Sequence, residues 1–414
     1  MKIKFFSWKA VLLFLAVVGP GIITANVDND ASGIATYSLA GAKFGYLLLW
    51  TVIPITILMI LVQDMAARIG IVTGKGLADL IRENFGVKIT FLIMVGLFIA
   101  NLMTTIAEFA GIAVAGQIFG ISKFITVPVC AFAAWWLIKR LKYKTLEKVF
   151  LILIIFYLAY IISGFLAKPD WTNVAKSTLS PTIKFEPVYF AFLIAIIGTS
   201  ITPWMQFYLQ GAIVEKGLKI EHYTLSRIDV VMGSIMTGVV MFFIIMVTAS
   251  TMYGKSDVTD IGQVASALVP LAGIYAAKLF AIGLFFAAFL GACILPISTA
   301  YFICEGIGLE SGINKSFDEA PQFYIIMGFL ILIGACILMV PGISLIPLFI
   351  LSQVVNGILL PFIVVFMVLI INNKKIMKEY VNSFLMNIAI MAGVVVLTIL
   401  SVLLVITSLL PQKV

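Results

Sequence analysis

Eleven apolar runs follow one another through this chain with short polar connections between them, at 10–40, 45–70, 88–117, 121–139, 146–167, 187–213, 228–253, 267–304, 322–341, 344–371 and 383–410. About 20 apolar residues suffice for one helical crossing of a bilayer, and a helix satisfies the backbone groups of such a run within itself. The sequence therefore predicts an all-α integral membrane protein with eleven transmembrane helices. Composition agrees, because 62% of the residues are hydrophobic and only 11% charged, against roughly 25% charged in ordinary globular chains. A water-soluble domain is excluded. No low-complexity tract or long linker divides the chain, so residues 1–414 read as a single transmembrane domain.

The net charge of +8 does not point to nucleic acid, since the cations fall on alternate loops. The amino terminus and the stretches 68–88, 139–148, 216–227, 315 and 374–378 hold 19 of the 27 Lys and Arg. By the positive-inside rule that side is cytoplasmic, which places the amino terminus inside and, after eleven crossings, the carboxy terminus outside. The weakest loop is 305–319, where Glu305, Glu310, Asp318 and Glu319 surround Lys315. Trp8, Trp50 and Trp171 fall near expected interfaces, whereas Trp204 lies mid-span. The leader with Lys2, Lys4 and Lys9 could open a signal peptide, but Asp28-Asn29-Asp30 stands where a small-residue cleavage site would be, so a retained helix is expected. His222 is the single histidine, and Cys130, Cys293, Cys304 and Cys336 lie in apolar stretches without CxxC spacing. These exclude a histidine-based metal cluster and a disulfide framework and leave the cysteines as packing residues.

The first and sixth runs are interrupted by polar, helix-poor residues, Asn26-Val27-Asp28-Asn29-Asp30-Ala31-Ser32-Gly33 and Gly198-Thr199-Ser200-Ile201-Thr202-Pro203. Five crossings separate them. An odd number inserts the second half upside down relative to the first, giving an inverted 5+5 repeat of 10–167 and 187–371 with 383–410 as an extra helix. Secondary transporters built this way bind cargo where two broken helices meet near the midplane.

Asp28 and Asp30 lie well inside the first run, where a carboxylate costs at least ~2.5–3.5 kcal/mol. Residues two apart face opposite sides of a continuous helix, so both acids reach one ligand only if the helix unwinds, as the Asn-Asp-Ala-Ser-Gly composition favours. The alternative is that one acid reaches the interface while the other pairs with a lysine such as Lys43. In the sixth run Pro203 has no N–H, which leaves the Thr199 carbonyl without its helical donor, and Thr199, Ser200 and Thr202 add hydroxyls. Oxygen-only donor sets suit Mg²⁺, Ca²⁺ or Mn²⁺; a proline kink with hydroxyls bonded to their own helix is the competing reading. Gln353 and Asn356 share one face of the tenth run, ahead of Pro361, as cation ligands or as interhelical hydrogen-bonding groups. Glu108 is expected to line a water-filled path, Asp64 and Arg68 to form a structural i,i+4 pair, and Met205 to pack.

These residues together resemble the NRAMP divalent-metal transporters. Gly19-Pro20-Gly21 leading to Asp30, Ala35-Thr36, Ala40-Gly41-Ala42 and the 70–79 segment are similar to the first helix and the region after the second. Ala107-Glu108, Pro203 with Tyr208-Leu209, and Ser352-Gln353 with Leu360-Pro361-Phe362 extend the resemblance over most of the chain. It implies the leucine-transporter-type fold with helices one and six broken, alternating access, and a divalent cation between helices one, six and ten.

The departures are equally specific. The family's Asp-Pro-Gly-Asn motif reads Asp30-Ala31-Ser32-Gly33, and its Met-Pro-His motif reads Thr202-Pro203-Trp204. A thioether favours soft metals; Thr202 removes it. Trp204 replaces the histidine associated with proton movement, Thr105 replaces the aspartate ahead of Glu108, and the ninth run has no arginine. These changes resemble the NRAMP-related magnesium transporters (NRMTs). The resulting expectation is an importer of Mg²⁺ and Mn²⁺ without proton coupling, the ion held by Asp28, Asn29, Asp30, Thr199, Thr202, Gln353 and Asn356. Mg²⁺ keeps several waters, for which Gly33 in place of the asparagine would leave room, and Gly33, Gly198 and Pro203 are candidate hinges. The metal is cargo and no cofactor is expected; the partners are the ion and the lipid bilayer, with no nucleic acid and a monomer sufficing. The rivals are a proton-coupled Mn²⁺ or Fe²⁺ importer and an amino-acid transporter of the same fold. No nucleophile and base pair or phosphate loop suggests an enzyme.

Overall fold

The computed structural model describes residues 17–254, 269–340, 342 and 345–409, so Trp8 and the leader lysines lie outside the described residues. Within them the secondary structure is helical throughout, with no strand. The helices are α1 (Pro20–Val27), α2 (Ala31–Phe44), α3 (Val52–Thr73), α4 (Leu77–Phe85), α5 (Val87–Ile118), α6 (Lys123–Arg140), α7 (Tyr143–Ile154), α8 (Leu158–Leu166), α9 (Trp171–Leu179), α10 (Pro187–Ser200), α11 (Pro203–Lys216), α12 (Tyr223–Met252), α13 (Val269–Ile307), α14 (Pro321–Met339), α15 (Leu345–Ile371), α16 (Lys374–Met377) and α17 (Phe384–Leu409). Nine stretches among the described residues are long and apolar enough to cross a membrane. Large apolar side chains such as Leu92, Phe132, Leu332 and Val402 stay exposed on the outer faces. A hydrocarbon solvent accepts such a surface, and helices meet its demand that backbone groups be satisfied internally.

Among the described residues the sequence-predicted runs fall on helical elements, and the differences have local causes. Short helices α4 and α9 occupy stretches expected as loops. In α4 a stripe of Leu77, Ala78, Leu80 and Ile81 is buried while Arg82, Glu83 and Asn84 face away, a helix too short and too polar to register as a crossing. The fifth run is divided by a 3₁₀ turn at Ile155–Tyr157 between α7 and α8. Cys130, Cys293 and Cys304 are buried as expected, but Cys336 is exposed, which corrects its reading as a packing residue: it stands on the outward face of α14.

Both interruptions are present. α1 ends at Val27 and α2 starts at Ala31, with Asp30 in extended conformation as its N-cap. α10 ends at Ser200, and α11 starts at Pro203 after the extended Thr202. Pro203 sits in the first turn of α11, where the missing N–H costs no hydrogen bond. α10 reaches α15 through Gly198 and Gly357. A Cβ on Gly198 would strike the Gln353 carbonyl, and one on Gly357 would come within 2.7 Å of the Ile194 carbonyl. That backbone approach places Gln353 and Asn356 beside the second break.

Candidate metal site

Asp28, Asn29, Asp30, Thr199, Thr202, Gln353 and Asn356 are all at 0% exposure. The structure links the two breaks directly, because the Thr202 hydroxyl donates to Asp28 Oδ1 at 2.7 Å. Asp28 is therefore partnered by Thr202, and Lys43 stays exposed near the end of α2. Asp30 accepts the Gly33 N–H on Oδ1 at 2.7 Å, an N-cap bond of the usual kind. Glu108 reaches the same turn from α5 and accepts the Ala31 N–H on Oε2 at 3.0 Å. In each of the three acids one oxygen holds backbone or hydroxyl, while Asp28 Oδ2, Asp30 Oδ2 and Glu108 Oε1 have no partner. Glu108 thus caps the half-helix next to Asp30, a closer position than the path-lining place expected for it. No group of three or more His, Cys, Asp or Glu among the described residues is arranged to hold a metal. Any cation at the breaks needs neutral oxygens as well.

Those oxygens are present. Asn29 Oδ1, Thr199 Oγ1 and Asn356 Oδ1 are buried without a hydrogen-bond partner. Buried polar atoms without partners are costly, and half-used carboxylates at the first break together with such atoms suit a polar or charged guest. Gln353 and Asn356 differ in availability. Gln353 Oε1 accepts from Asn356 Nδ2 at 3.1 Å, and Asn356 Nδ2 also reaches Thr104 Oγ1 at 3.4 Å. As placed, Asn356 offers the free carbonyl oxygen, and Gln353 must turn its amide to offer one.

Two expectations about individual groups need correction. Gly33 does not open room: a Cβ there would meet the Asp28 carbonyl and lie 2.9 Å from Thr199 Oγ1, so the absent side chain is used to close the turn. Ser200 leaves the oxygen cluster, since its hydroxyl bonds to the Ile196 carbonyl at 2.7 Å and to Tyr37 Oη at 2.8 Å. The kink reading holds for Ser200 alone. Met205 packs, its sulfur 3.8 Å from Gln63 Nε2. Trp204 is fully buried, edge-on to Tyr208 with centroids 6.3 Å apart. Thr105 bonds its own helix at the Asn101 carbonyl, 2.7 Å away. Arg68 and Asp64 form the expected pair at 2.9 Å and extend it to Asn382 and Tyr223.

Sequence reasoning missed how α1 is fastened. Asp229 of α12 accepts the N–H groups of Gly19, Gly21 and Ile22 at 3.1, 2.6 and 3.2 Å, which meets most of the orphan donors at a helix start. Lys216 donates to the Val17 and Val18 carbonyls and to Glu147, and Thr237 donates to the Ala25 carbonyl at 2.6 Å. An isolated acid just inside the seventh run was the one available signal.

Broken half-helices meeting around buried oxygens define a multi-pass membrane protein of the leucine-transporter-type fold. The Eremococcus coleocola manganese transporter, solved with an aromatic bis-isothiourea compound, has a TM-score of 0.79 at 23% identity, covering 98% of this chain and 88% of that one. Mhp1, a nucleobase-cation-symport-1 family transporter, gives 0.55 at 15%, covering 95% and 90%. At these identities both likenesses speak to fold alone. The family profile described as natural resistance-associated macrophage protein-like matches residues 21–407, and the chain belongs to this NRAMP family. Divalent metal cation transporter MntH of Granulibacter bethesdensis is 26% identical over 391 residues, 91% of this chain and 84% of its own. That of Klebsiella pneumoniae is 26% identical over 382 residues, 89% and 88%. These relatives are transporters, not enzymes.

Proposed function

We propose that this chain imports divalent cations, Mg²⁺ together with Mn²⁺, by alternating access and without a coupled proton. The reading keeps the divalent cargo that the relatives' names carry and changes its chemistry. The observation that carries it is the Thr202 hydroxyl on Asp28 at 2.7 Å, where the family motif supplies a thioether, with Met205 turned toward Gln63. A donor set of carboxylate, hydroxyl and amide oxygens favours hard ions. Asp28 Oδ2, Asp30 Oδ2, Asn29, Thr199 and Asn356 would contact the ion or its retained waters, with Thr202 and Gln353 joining once their present hydrogen bonds rearrange.

The site is sealed in this conformation, so exchange requires the half-helices to move. The proposed frame has eleven crossings. Ala31–Thr73 counts as two, since its 43 residues would extend roughly 65 Å as one helix, twice the ~30 Å of a bilayer core. Residues 20–44 then form the first interrupted crossing and Lys123–Arg140 another, the halves 10–167 and 187–371 being inverted repeats. The amino terminus lies inside. A divalent ion gains roughly 4.6 kcal/mol per 100 mV on entering a negative interior, which drives uptake without protons.

The test is uptake of Mg²⁺, Mn²⁺ and Ca²⁺ into proteoliposomes at imposed voltage with internal pH recorded. Voltage-driven Mg²⁺ influx at constant pH is expected. Internal acidification that scales with metal influx favours the proton-coupled Mn²⁺ or Fe²⁺ rival. Inhibition by amino acids would indicate the amino-acid carrier instead.

A further inference from the structure

We propose that the groove between α6 and α14 is a binding site for one anionic phospholipid, its acyl chain lying in the groove and its headgroup phosphate held by Lys139. The groove has a volume of 610 Å³ and is lined by apolar side chains, among them Phe132, Trp135, Phe317, Tyr324, Gly328 and Leu332. This lies within the ~300–1,000 Å³ of small-molecule clefts. From Tyr324 to Met339 it follows α14 for roughly 22 Å at the helical rise, more than the ~15 Å depth of one leaflet. That is an acyl chain's shape. At Gly328 a Cβ would only make ordinary contact with Trp135 Nε1, at 3.7 Å, so a larger side chain is needed there to fill the slot.

The two ends of the groove differ in charge. Lys123, at the start of α6, donates to the Leu338 carbonyl at 2.8 Å and is satisfied. Lys139, at the other end of α6, sits over the rings of Trp135 and Phe317 at 4.7 and 5.6 Å from their centroids. Both rings line the groove. Aromatic faces hold the ammonium at the mouth, and among the described residues Lys139 has no hydrogen-bond acceptor there, nor has the adjacent Arg140. Among the acids of the facing loop, Glu310 pairs with Lys315 and Glu319 accepts the Ser316 N–H, leaving Asp318 without a partner among the described residues. Lys139 and Arg140 are balanced by Asp318 and Glu319, so the attraction for an anionic headgroup is local to the ammonium that the two rings hold at the mouth. A cation poised above an apolar slot at a membrane surface matches a lipid with a charged head and a long tail, and basic residues there attract anionic lipids. The position is also mechanically connected, because the opposite face of α14 packs Gly334 against Phe109 and Thr105, the turn of α5 that carries Glu108.

The test uses the full chain purified in an uncharged detergent. Thermal unfolding is followed as phosphatidylglycerol or phosphatidylcholine with the same chains is added, and bound lipid is read by native mass spectrometry. Phosphatidylglycerol should raise Tm and stay bound far better than phosphatidylcholine. Lys139→Gln should weaken its apparent affinity roughly fivefold, Lys139→Arg should retain it, and Gly328→Leu should remove bound lipid by filling the slot. If Gly328→Leu fails to fold, the exposed Lys139 pair still decides. Equal responses to the two lipids, or unchanged affinity in Lys139→Gln, overturns the proposal. So does inorganic phosphate producing the same shift, which points to a free anion, or a dimer that excludes lipid, which points to a second copy in the groove.

Discussion

Each acid at the first break divides its two oxygens between the fold and the space beside it. Asp30 Oδ1 holds the Gly33 N–H while Oδ2 is free, so the two duties can be separated by substitution. Asp30→Asn should keep the cap and fold like the parent, because an amide oxygen still accepts the N–H, yet lose metal binding; isothermal titration alongside a melting curve would show the split. Asp30→Ala removes both, and should abolish uptake and cost about 1 kcal/mol through the lost cap. Thr202→Met should restore a soft donor and shift competition toward Mn²⁺ and Cd²⁺ over Mg²⁺ by roughly tenfold, measured as inhibition of Mn²⁺ uptake. At this scale the sequence already identified both acids, Pro203 and Thr202, because a charge or a proline inside an apolar run is costly unless it serves a site or a break. The partitioning between oxygens was not legible. It depends on which N–H lies within 3 Å, as does the pairing of Gln353 with Asn356.

Among the elements, the half-helices are the distinctive pieces, and their packing was only partly readable. The breaks follow from composition, but the Asp229 carboxylate beneath α1 comes from a helix about 200 residues away, and neither periodicity nor spacing announces it. Asp229→Ala should destabilise the protein by about 3 kcal/mol, since it strips a charged acceptor from buried N–H groups. Thermal unfolding in detergent checks this, and faster hydrogen exchange at residues 19–22 would localise it. Gly198→Val should block assembly of α10 against α15, where the Gln353 carbonyl already fills the position of a Cβ; loss of folded, monodisperse protein is the expected readout. The short helices α4 and α9 escaped notice because their apolar stripes are only a few residues long, whereas long continuous runs set the crossings unmistakably.

For the whole molecule, alternate loops rich in Lys and Arg predict which face meets the cytoplasm. Single cysteines placed near residue 145 and near residue 170, in a background lacking the exposed Cys336, should be labelled from opposite sides of sealed cells by an impermeant maleimide. Labelling of both from the same side would remove the crossing assigned to α7 and α8. Overall architecture was the most legible level, because a bilayer restricts a chain of this composition to bundled helices. The fastening of α1 then bears on how such a bundle can work. An eight-residue rod bound to α12 at its start by Asp229 and near its end by Thr237 is not a free flap. Any movement of this rod would either carry α12 along, some thirty further residues, or first strip a carboxylate from its three donors.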